Sequence, residues 1–560
     1  MEIKVLQGVN FEAPHTLIKI SLDGDAGKVT PLLDLVKSFH HVLLKEYVVD
    51  GSTVILNSKL THLWKSSAEH LNKLSLGELS QEEVEEYVIG YTIKNQIYSM
   101  STLFMLEGAI ELGEEVTQSL FNGPVFDDPS YEKPGGAWNR VYTIGAGSAA
   151  MLTKSTGSTG DPIMALNIQR DKWVTNTYAD RLKLPVAKWD LLRSEEEVER
   201  LFEEYEKPVV IKPTGLVGGN GVTTNINTLE QAKKAYNYAY DIVHEKNRSA
   251  WQQKIMIQQQ VAGEDYRLLV VGGILEIATK RIPAFVTGDG KSTLEQLIEE
   301  TNRDPRRDMR NPAHILKPIA FDEKLDEYLA EQNLSLDHIP GEGEKIFVRK
   351  VASMSQGGIT EDFTDKVHPQ IKYLAESMAS SIHAHVVGID VICKDISKPL
   401  TADNGSFIEM NTMPEAYLNT FPVIGKQYPE TGQVIIKRLL EKMKPVTRIV
   451  AIGLGLPELF EKLENEGVIV DDAIVGTVSG GSIYIDSEIM HEDVETWEAV
   501  EALKLNALPS VLVLHYKDAD EVEEVGLGFD KVDYLIANDE VSEKLSGEGY
   551  KSKVLNFIKI

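Results

Sequence analysis

A single cysteine, Cys393, in 560 residues excludes an internal disulfide framework and any Cys-x-x-Cys metal site. Long apolar runs are missing too: nothing approaches the roughly 20 residues that a membrane helix needs. The opening MEIKVLQGVNFEAPH lacks the charged and then apolar pattern of a signal peptide, so a cytoplasmic protein with no membrane partner is expected. Basic charge is scarce, with 57 Lys and Arg against 86 Asp and Glu and a net charge of -29. Such a field keeps a protein soluble and repels nucleic acid, while mildly favouring a basic substrate. Internal repeats and low-complexity tracts are absent. What is present, 42% hydrophobic and 26% charged residues, is the composition of a soluble globular protein. The length exceeds one ordinary core and points to about three domains.

The most informative stretch is 385–414, HVVGIDVICKDISKPLTADNGSFIEMNTMP. Two apolar runs, 385–393 and 406–410, flank a polar segment with Asp403, Asn404 and Gly405, which predicts two antiparallel strands joined by a loop. Alternation along the second strand turns Glu409 and Asn411 to one face, beside Asp390, and sends Ile408 and Met410 into packing. Two carboxylates and an amide on rigid strands suit a hard cation such as Mg²⁺, held jointly with substrate phosphates. By itself the hairpin reads more readily as an ordinary one with polar residues in water. The upstream chain decides between these readings.

Residues 1–160 begin with strand-like segments and continue with helical patterns at 29–44 and 82–112, interrupted by a Gly/Pro-rich loop at 122–138. His40 and His41 are neighbours within the first pattern; on a helix they diverge, and surface or packing roles are expected rather than a metal pair. From about 161 strands alternate with helices. Asp171-Lys172 opens a helical pattern that stops before Pro185. KPVVIKPTGLVGGNGVTTN then gives a buried strand, Lys212 and a turn with Gly215, Gly218, Gly219 and Gly221, whose backbone can approach an anion closely. No Gly-Lys-Ser/Thr follows, so it is not a Walker loop. Thr228-x-x-Gln231 and Ser292-x-x-Glu295 are helix-start signatures. The charged stretch 302–345 suggests an insertion of exposed loops. Lys172, Lys212, Arg267, Arg281 and Arg349 lie far apart in sequence and make joint sense only by converging on phosphate.

These pieces, in this order, resemble the ATP-grasp ligases and most nearly the cyanophycin synthetases. The resemblance rests on VVIKP at 209–213, GEDYRLLVVGG at 263–273, FVTGDGKSTLEQLIEETNRDPRR at 285–307, SQGGITEDFTDKVHP at 355–369, GIDVICKDISKPL at 388–400 and FIEMNTMP at 407–414. The GDG…NRDPRR stretch also occurs in the ligase half of bifunctional glutathione synthetases. The resemblance implies an α/β and α+β multidomain protein: an N-terminal α+β domain at 1–160, an ATP-grasp domain at 161–446, and at 447–560 a small α/β remnant, Mur-ligase-like or Rossmann-like, without a P-loop. It further implies ATP and Mg²⁺ as cofactors, amino-acid or peptide substrates, and a homo-oligomer. Position by position, Lys172 and Lys212 match the nucleotide-phosphate lysines, and Gly218, Gly219 and Gly221 the loop over those phosphates. Gln258 and Val261 fall in the adenine hinge, Asp265 near the ribose, and Arg281 among the phosphate-facing cations. Asp390, Glu409 and Asn411 match the Mg²⁺ ligands; Arg267 and Arg349 face phosphate or the acyl intermediate.

The pattern is broken in four places. Gln258 stands where the family usually has Glu, and GLVGGNG at 215–221 lacks the His and Arg of the cyanophycin synthetase loop. At 87–96, YVIGYTIKNQ places Tyr87, Gly90 and Tyr91 where some relatives carry metal-binding His and Glu, so no hydrolytic metal site is expected there. After AIG at 451–453 comes LGLPELFEKL, which satisfies neither a P-loop nor GxGxxG. The resemblance therefore implies an ATP-dependent carboxylate–amine ligase with one active site, forming a peptide or isopeptide bond through an acyl phosphate, with joining of dipeptide units as one outcome. The alternatives are a glutathione-type or other small-peptide ligase, and a non-catalytic scaffold or regulatory subunit.

Overall fold

A computed structural model describes the chain except residues 8–15, 98, 120–140, 217–218, 245–252, 471, 542–553 and 560. Gly218 and the Gly/Pro-rich loop at 122–138 lie outside the described residues. The chain forms two compact units, one of Met1–Thr159, Met309–His314 and Glu430–Ile560, the other of Gly160–Asp308 and Ile315–Pro429. Strands and helices are mixed throughout, as the α/β and α+β reading expects. None of the described helices is long and apolar enough to cross a membrane.

The second unit holds the hairpin. Its five-stranded antiparallel sheet runs, edge to edge, Ile359–Asp362, Ile274–Ile282, Glu264–Val271, Val386–Cys393 and Gly405–Thr412. One face is apolar: Tyr266, Leu268, Ala278, Ile389, Val391, Phe407 and Met410 pack on Ile371, Ala375 and Met378 of the helix Pro369–Ser381. The hairpin pairs as expected, Asp390 opposite Glu409 and Gly388 opposite Asn411, with one correction. The register slips between Asp390 and Val391, so Val391 faces Phe407. Ile408 is the extra residue, half-buried rather than in the core. Strict alternation would put Phe407 on the face of Glu409; the bulge sends the aromatic ring into the core instead.

A four-stranded sheet of Trp189–Leu192, Ile255–Gln259, Val209–Pro213 and Thr223–Ile226 buries Val209, Ile211, Ile255 and Ile257 on one face. Thr228 and Gln231 form the expected helix start, Gln231 N donating to Thr228 Oγ1 and Thr228 N to Gln231 Oε1. The second start signature is displaced by one: Thr293 and Gln296 form the box, and Ser292 turns back to Asp289. The 302–345 stretch is not only loops. It contributes the helix Glu323–Glu331, whose Leu325 and Leu329 join Ile319, Val286, Leu294 and Ile298 in a separate small core.

In the first unit, Glu2–Gln7, Thr16–Ser21, Thr53–Asn57 and Glu46–Asp50 form an antiparallel sheet in that order. Residues from 447 onward build a seven-stranded sheet in which Val475–Ser479, Val511–Tyr516, Thr447–Ile452, Val532–Ala537 and Val554–Lys559 run parallel. The predicted helix at 29–44 ends at Phe39. The N- and C-terminal stretches are joined by buried charge: Lys504 Nζ lies 2.8 Å from Glu115, Lys59 pairs with Asp530, and the Asp530 amide donates to Glu115. Glu115, Lys504 and Asp530 are all at most 5% exposed. Burial pushes the Glu115 carboxyl up, and the nearby Lys504 and Lys59 outweigh it and bring it down. Removing one ion of a buried pair leaves the other unpaired, at a cost of about 3–5 kcal/mol. Lys504→Met is expected to destabilise this unit by about that amount in denaturant unfolding; a loss of less than about 1 kcal/mol, the range of exposed pairs, would show that the network is not what joins the two stretches.

Candidate active site

The polar face of the five-stranded sheet is set by register. Arg267 stands opposite Asp390 on one side and Thr279 on the other, Asp390 opposite Glu409, and Asp265 opposite Arg281. Cross-strand partners share a face, so Asp265, Arg267, Arg281, Asp390, Glu409 and Asn411 meet there. Asp390 is 2% exposed, with both oxygens engaged. Arg267 Nε donates to Oδ1, Arg267 Nη2 to Oδ2 at 3.1 Å, and Arg281 Nη2 lies 3.0 Å from Oδ2. Arg281 is shared, its Nη2 also donating to Asp265 Oδ1 at 2.6 Å. Burial pushes the Asp390 carboxyl up, but the guanidiniums of Arg267 and Arg281 outweigh it and hold the group below the usual carboxylate range. For Asp265, burial raises the carboxyl more than Arg281 lowers it, and the charge of Asp390 adds to the rise.

Gly388 makes this geometry possible. A Cβ there would sit 2.8 Å from Arg267 Nη1 and 3.0 Å from Pro414 Cβ, so any side chain would displace the guanidinium. Two residues that sequence reasoning missed complete the support. Asn419 Nδ2 donates to the Arg267 carbonyl and to Thr279 Oγ1, both at 3.0 Å. Gln169 Oε1 accepts from the Thr412 amide at 2.6 Å and from the Thr412 hydroxyl, fixing the strand end next to Asn411. A lone Gln and a lone Asn carry no pattern that would single them out.

Lys172 is the first residue of the helix Lys172–Arg181, capped by Asp171, whose side chain accepts from Trp173 N. Its Nζ donates to the Leu216 carbonyl at 2.6 Å and lies 3.7 Å from Glu409 Oε2, so it spans the glycine turn and the carboxylate row. Lys212 is 7% exposed, on the face of its strand turned away from the apolar core. Burial, and then the charge of Lys172, push its ammonium down to about 8, with Glu409 opposing. Gly219 and Gly221 both have φ near +74° and +73°, and a Cβ on Gly221 would meet Pro213 at 2.8 Å. Gln258 pairs across its strand with Val210 and shares the Lys212 face; its Nε2 is buried without a hydrogen-bond partner. Val261 lies half-buried in the link to the Arg267 strand. Arg349 is not brought to this row. It is 2% exposed, donating to the Ala320 carbonyl and pairing with Asp322 Oδ1 at 2.8 Å.

Four cations, Lys172, Lys212, Arg267 and Arg281, thus face three carboxylates, Asp265, Asp390 and Glu409, and the surplus positive charge can receive an anion. The donors suit a hard cation: two carboxylates directly opposite one another, and Asn411 beside them with its Nδ2 buried and unpartnered. Amide N and O are assigned from hydrogen bonding; turned over, Asn411 offers an oxygen where no partner now meets its nitrogen.

Residues 170–278 match the family model for the ATP-grasp (A) domain of phosphoribosylglycinamide synthetase. Cyanophycin synthetase of Synechocystis sp. (strain ATCC 27184 / PCC 6803 / Kazusa) is 34% identical over 286 residues, covering 51% of this chain and 32% of that protein. The glutathione biosynthesis bifunctional protein GshAB of Clostridium perfringens (strain 13 / Type A) is 31% identical over 291 residues, 51% of this chain and 36% of its own length. The chain thus matches about a third of the length of these relatives. A solved bifunctional glutathione synthetase from Pasteurella multocida aligns at 23% identity with a TM-score of 0.46, over 67% of this chain and 49% of that one. Over residues 170–278 the chain is therefore similar to an ATP-grasp (A) domain and, over about half of its length, to the cyanophycin synthetases and the bifunctional glutathione proteins.

Proposed function

We propose that the chain is an ATP-dependent carboxylate–amine ligase, joining amino acids or short peptides through an acyl phosphate. The observation that carries this reading is the row Arg267–Asp390–Glu409 with Lys172 beside it, since it combines hard-cation ligands with surplus positive charge. A carboxylate is a poor acyl donor because its leaving group would be oxide. Phosphorylation by ATP gives an acyl phosphate that an amine can attack, and the site must neutralise several phosphate charges meanwhile. Lys172 and Lys212 hold the nucleotide phosphates. Arg267 and Arg281 neutralise the transferred phosphoryl group, and the glycine turn with Gly218, Gly219 and Gly221 covers it from water. Gln258 and Val261 border the adenine and Asp265 the ribose. Asp390, Glu409 and Asn411 would hold Mg²⁺, which when bound lowers the charge on the phosphates. Arg349, tied to Ala320 and Asp322, takes part only if that attachment releases.

The 1–160 and 161–446 segments act as an N-terminal domain and the catalytic domain. The 447–560 segment is a Mur-ligase-like remnant that serves packing. Its first strand-to-helix turn supports this, because the Leu454 carbonyl there accepts from His515 Nε2 at 2.6 Å. The protein works in the cytoplasm, as a homo-oligomer.

Two measurements test the reading. Purified chain with Mg-ATP is offered a panel of amino acids and dipeptides, including β-aspartyl-arginine, while ADP release and product masses are followed. Turnover dependent on one carboxylate–amine pair is expected, with a mass ladder if units polymerise and one adduct if the enzyme is a small-peptide ligase. Glu409→Gln, at a partly exposed position, should lower turnover about 100-fold or more; full activity in that variant would remove Glu409 from the site. Failure to bind ATP at all would leave the scaffold reading.

The second is a pH profile of ATP binding. Lys212 is charged below about 8 and neutral above it. Phosphate selects the charged form, so affinity is expected to hold below that value and to weaken up to tenfold per pH unit above it. Lys212→Arg keeps its charge and should abolish that inflection; an unchanged profile in the variant would show that another group titrates.

A further inference from the structure

The first unit contains a second convergence of ligand-type side chains, far in sequence from the ATP-grasp motifs. His40 caps the helix Thr30–Phe39 with extended backbone, φ −166° and ψ 135°. The helix therefore stops before the two histidines can diverge, contrary to the sequence expectation. Their rings stack with centroids 4.7 Å apart and planes 20° from parallel. Both turn to Glu107, on the helix Met100–Glu111. His41 Nε2 lies 3.1 Å from one carboxylate oxygen and His40 Nε2 3.8 Å from the other. All the ligand atoms fall within 4.8 Å of one another.

We propose that His40, His41 and Glu107 bind one divalent cation of the zinc type, with a fourth position left for water. Ligands at about 2.0–2.2 Å in tetrahedral array are about 3.3–3.6 Å apart, and the two histidine–carboxylate spacings bracket that range. Ion pairing alone explains only half of the cluster. His41 and Glu107 make a good pair, but 3.8 Å is too long for a hydrogen bond from His40, whose ring is only 10% exposed. Burial, opposed by Glu107 and aided by the charge of His41, pushes His40 down to about 4, so its ring is unprotonated at neutral pH. Glu111 adds negative charge beside His41, and Lys45 opposes it. Two imidazoles and one carboxylate prefer Zn²⁺ or Co²⁺ to Mg²⁺. The Val42 amide donates to His40 Nδ1 at 3.2 Å. A metal on Nε2 requires a proton on Nδ1, so loading the ion gives up that long bond.

The site is independent of the ligase reading. The test is a titration of the full, tag-free chain, stripped with chelator, with Co²⁺ or Zn²⁺ alone. One equivalent bound with the intense visible absorption of tetrahedral Co²⁺ is expected, together with a rise in Tm on adding Zn²⁺. His41 is 54% exposed and Glu107 23%, so His41→Ala and Glu107→Gln should keep the fold, checked by circular dichroism. Each should weaken binding by at least about 10- to 100-fold, the cost of losing even an outer partner of a ligand. Glu409→Gln should leave the tetrahedral spectrum unchanged. Absence of that spectrum, or its persistence in folded His41→Ala and Glu107→Gln, overturns the proposal.

Discussion

Asp390 is a carboxylate taken almost wholly out of water, and the second unit is arranged so that it is never unpaired. Removing an ion from water costs several kcal/mol, recovered only with good geometry and full hydrogen bonding. Arg267 from the neighbouring strand and Arg281 from the strand beyond it supply both. Each then needs support of its own. Gly388 leaves room for one guanidinium, Asp265 holds the other, and Asn419 ties down the backbone of Arg267. The bulge at Ile408 belongs to the same arrangement, since it lets Phe407 enter the core while Glu409 remains beside Asp390. A packing requirement and a charge requirement meet in one strand and are reconciled by one extra residue.

Much of this was legible in the sequence where it follows from periodicity. Alternation along 385–414 was enough to place Asp390, Glu409 and Asn411 together, because a strand has only two faces. The bulge was not legible, since periodicity assumes that no residue is added; the one hint was an aromatic at 407 that alternation would have left on the polar face. The counter-ions of Asp390 were visible only as scattered arginines. Arg281 and Arg349 looked equivalent in sequence, and only tertiary pairing separates the one at the row from the one held by Ala320 and Asp322. Helix ends were harder still. The apolar pattern at 29–44 runs past Phe39, and the stop there is what turns His40 and His41 toward Glu107. Buried Lys59, Lys504, Glu115 and Asp530 look like surface residues in the sequence, because charge is the usual sign of exposure.

The two units treat buried charge differently, and the difference bears on function. In the first, Lys59 and Lys504 stand against Glu115 and Asp530, and the charges balance within the protein. The turn after the strand Thr447–Ile452 is closed in the same spirit: Ser479 bonds His515 Nδ1 at 2.6 Å while His515 Nε2 meets the Leu454 carbonyl. One imidazole thereby ties three strand ends together, at the edge where an open parallel sheet would otherwise offer backbone to a ligand.

At the Asp390 row the balance is left incomplete. Lys212 is 7% exposed beside Lys172, and burial together with that neighbour's charge holds its ammonium down to about 8, which Glu409 offsets only in part. Such a group is an unfavourable element of the ligand-free fold, so its presence on a strand that could have carried an apolar residue calls for an external negative charge. A polyphosphate would meet that demand, and a cation held, as proposed, by Asp390, Glu409 and Asn411 would keep the added phosphates from overcompensating it. Electrostatics thus argues for the nucleotide and the metal together. In the proposed ligase the two substrates would be recognised by side chains around this core, where the glycine turn carries Asn220 and neither His nor Arg.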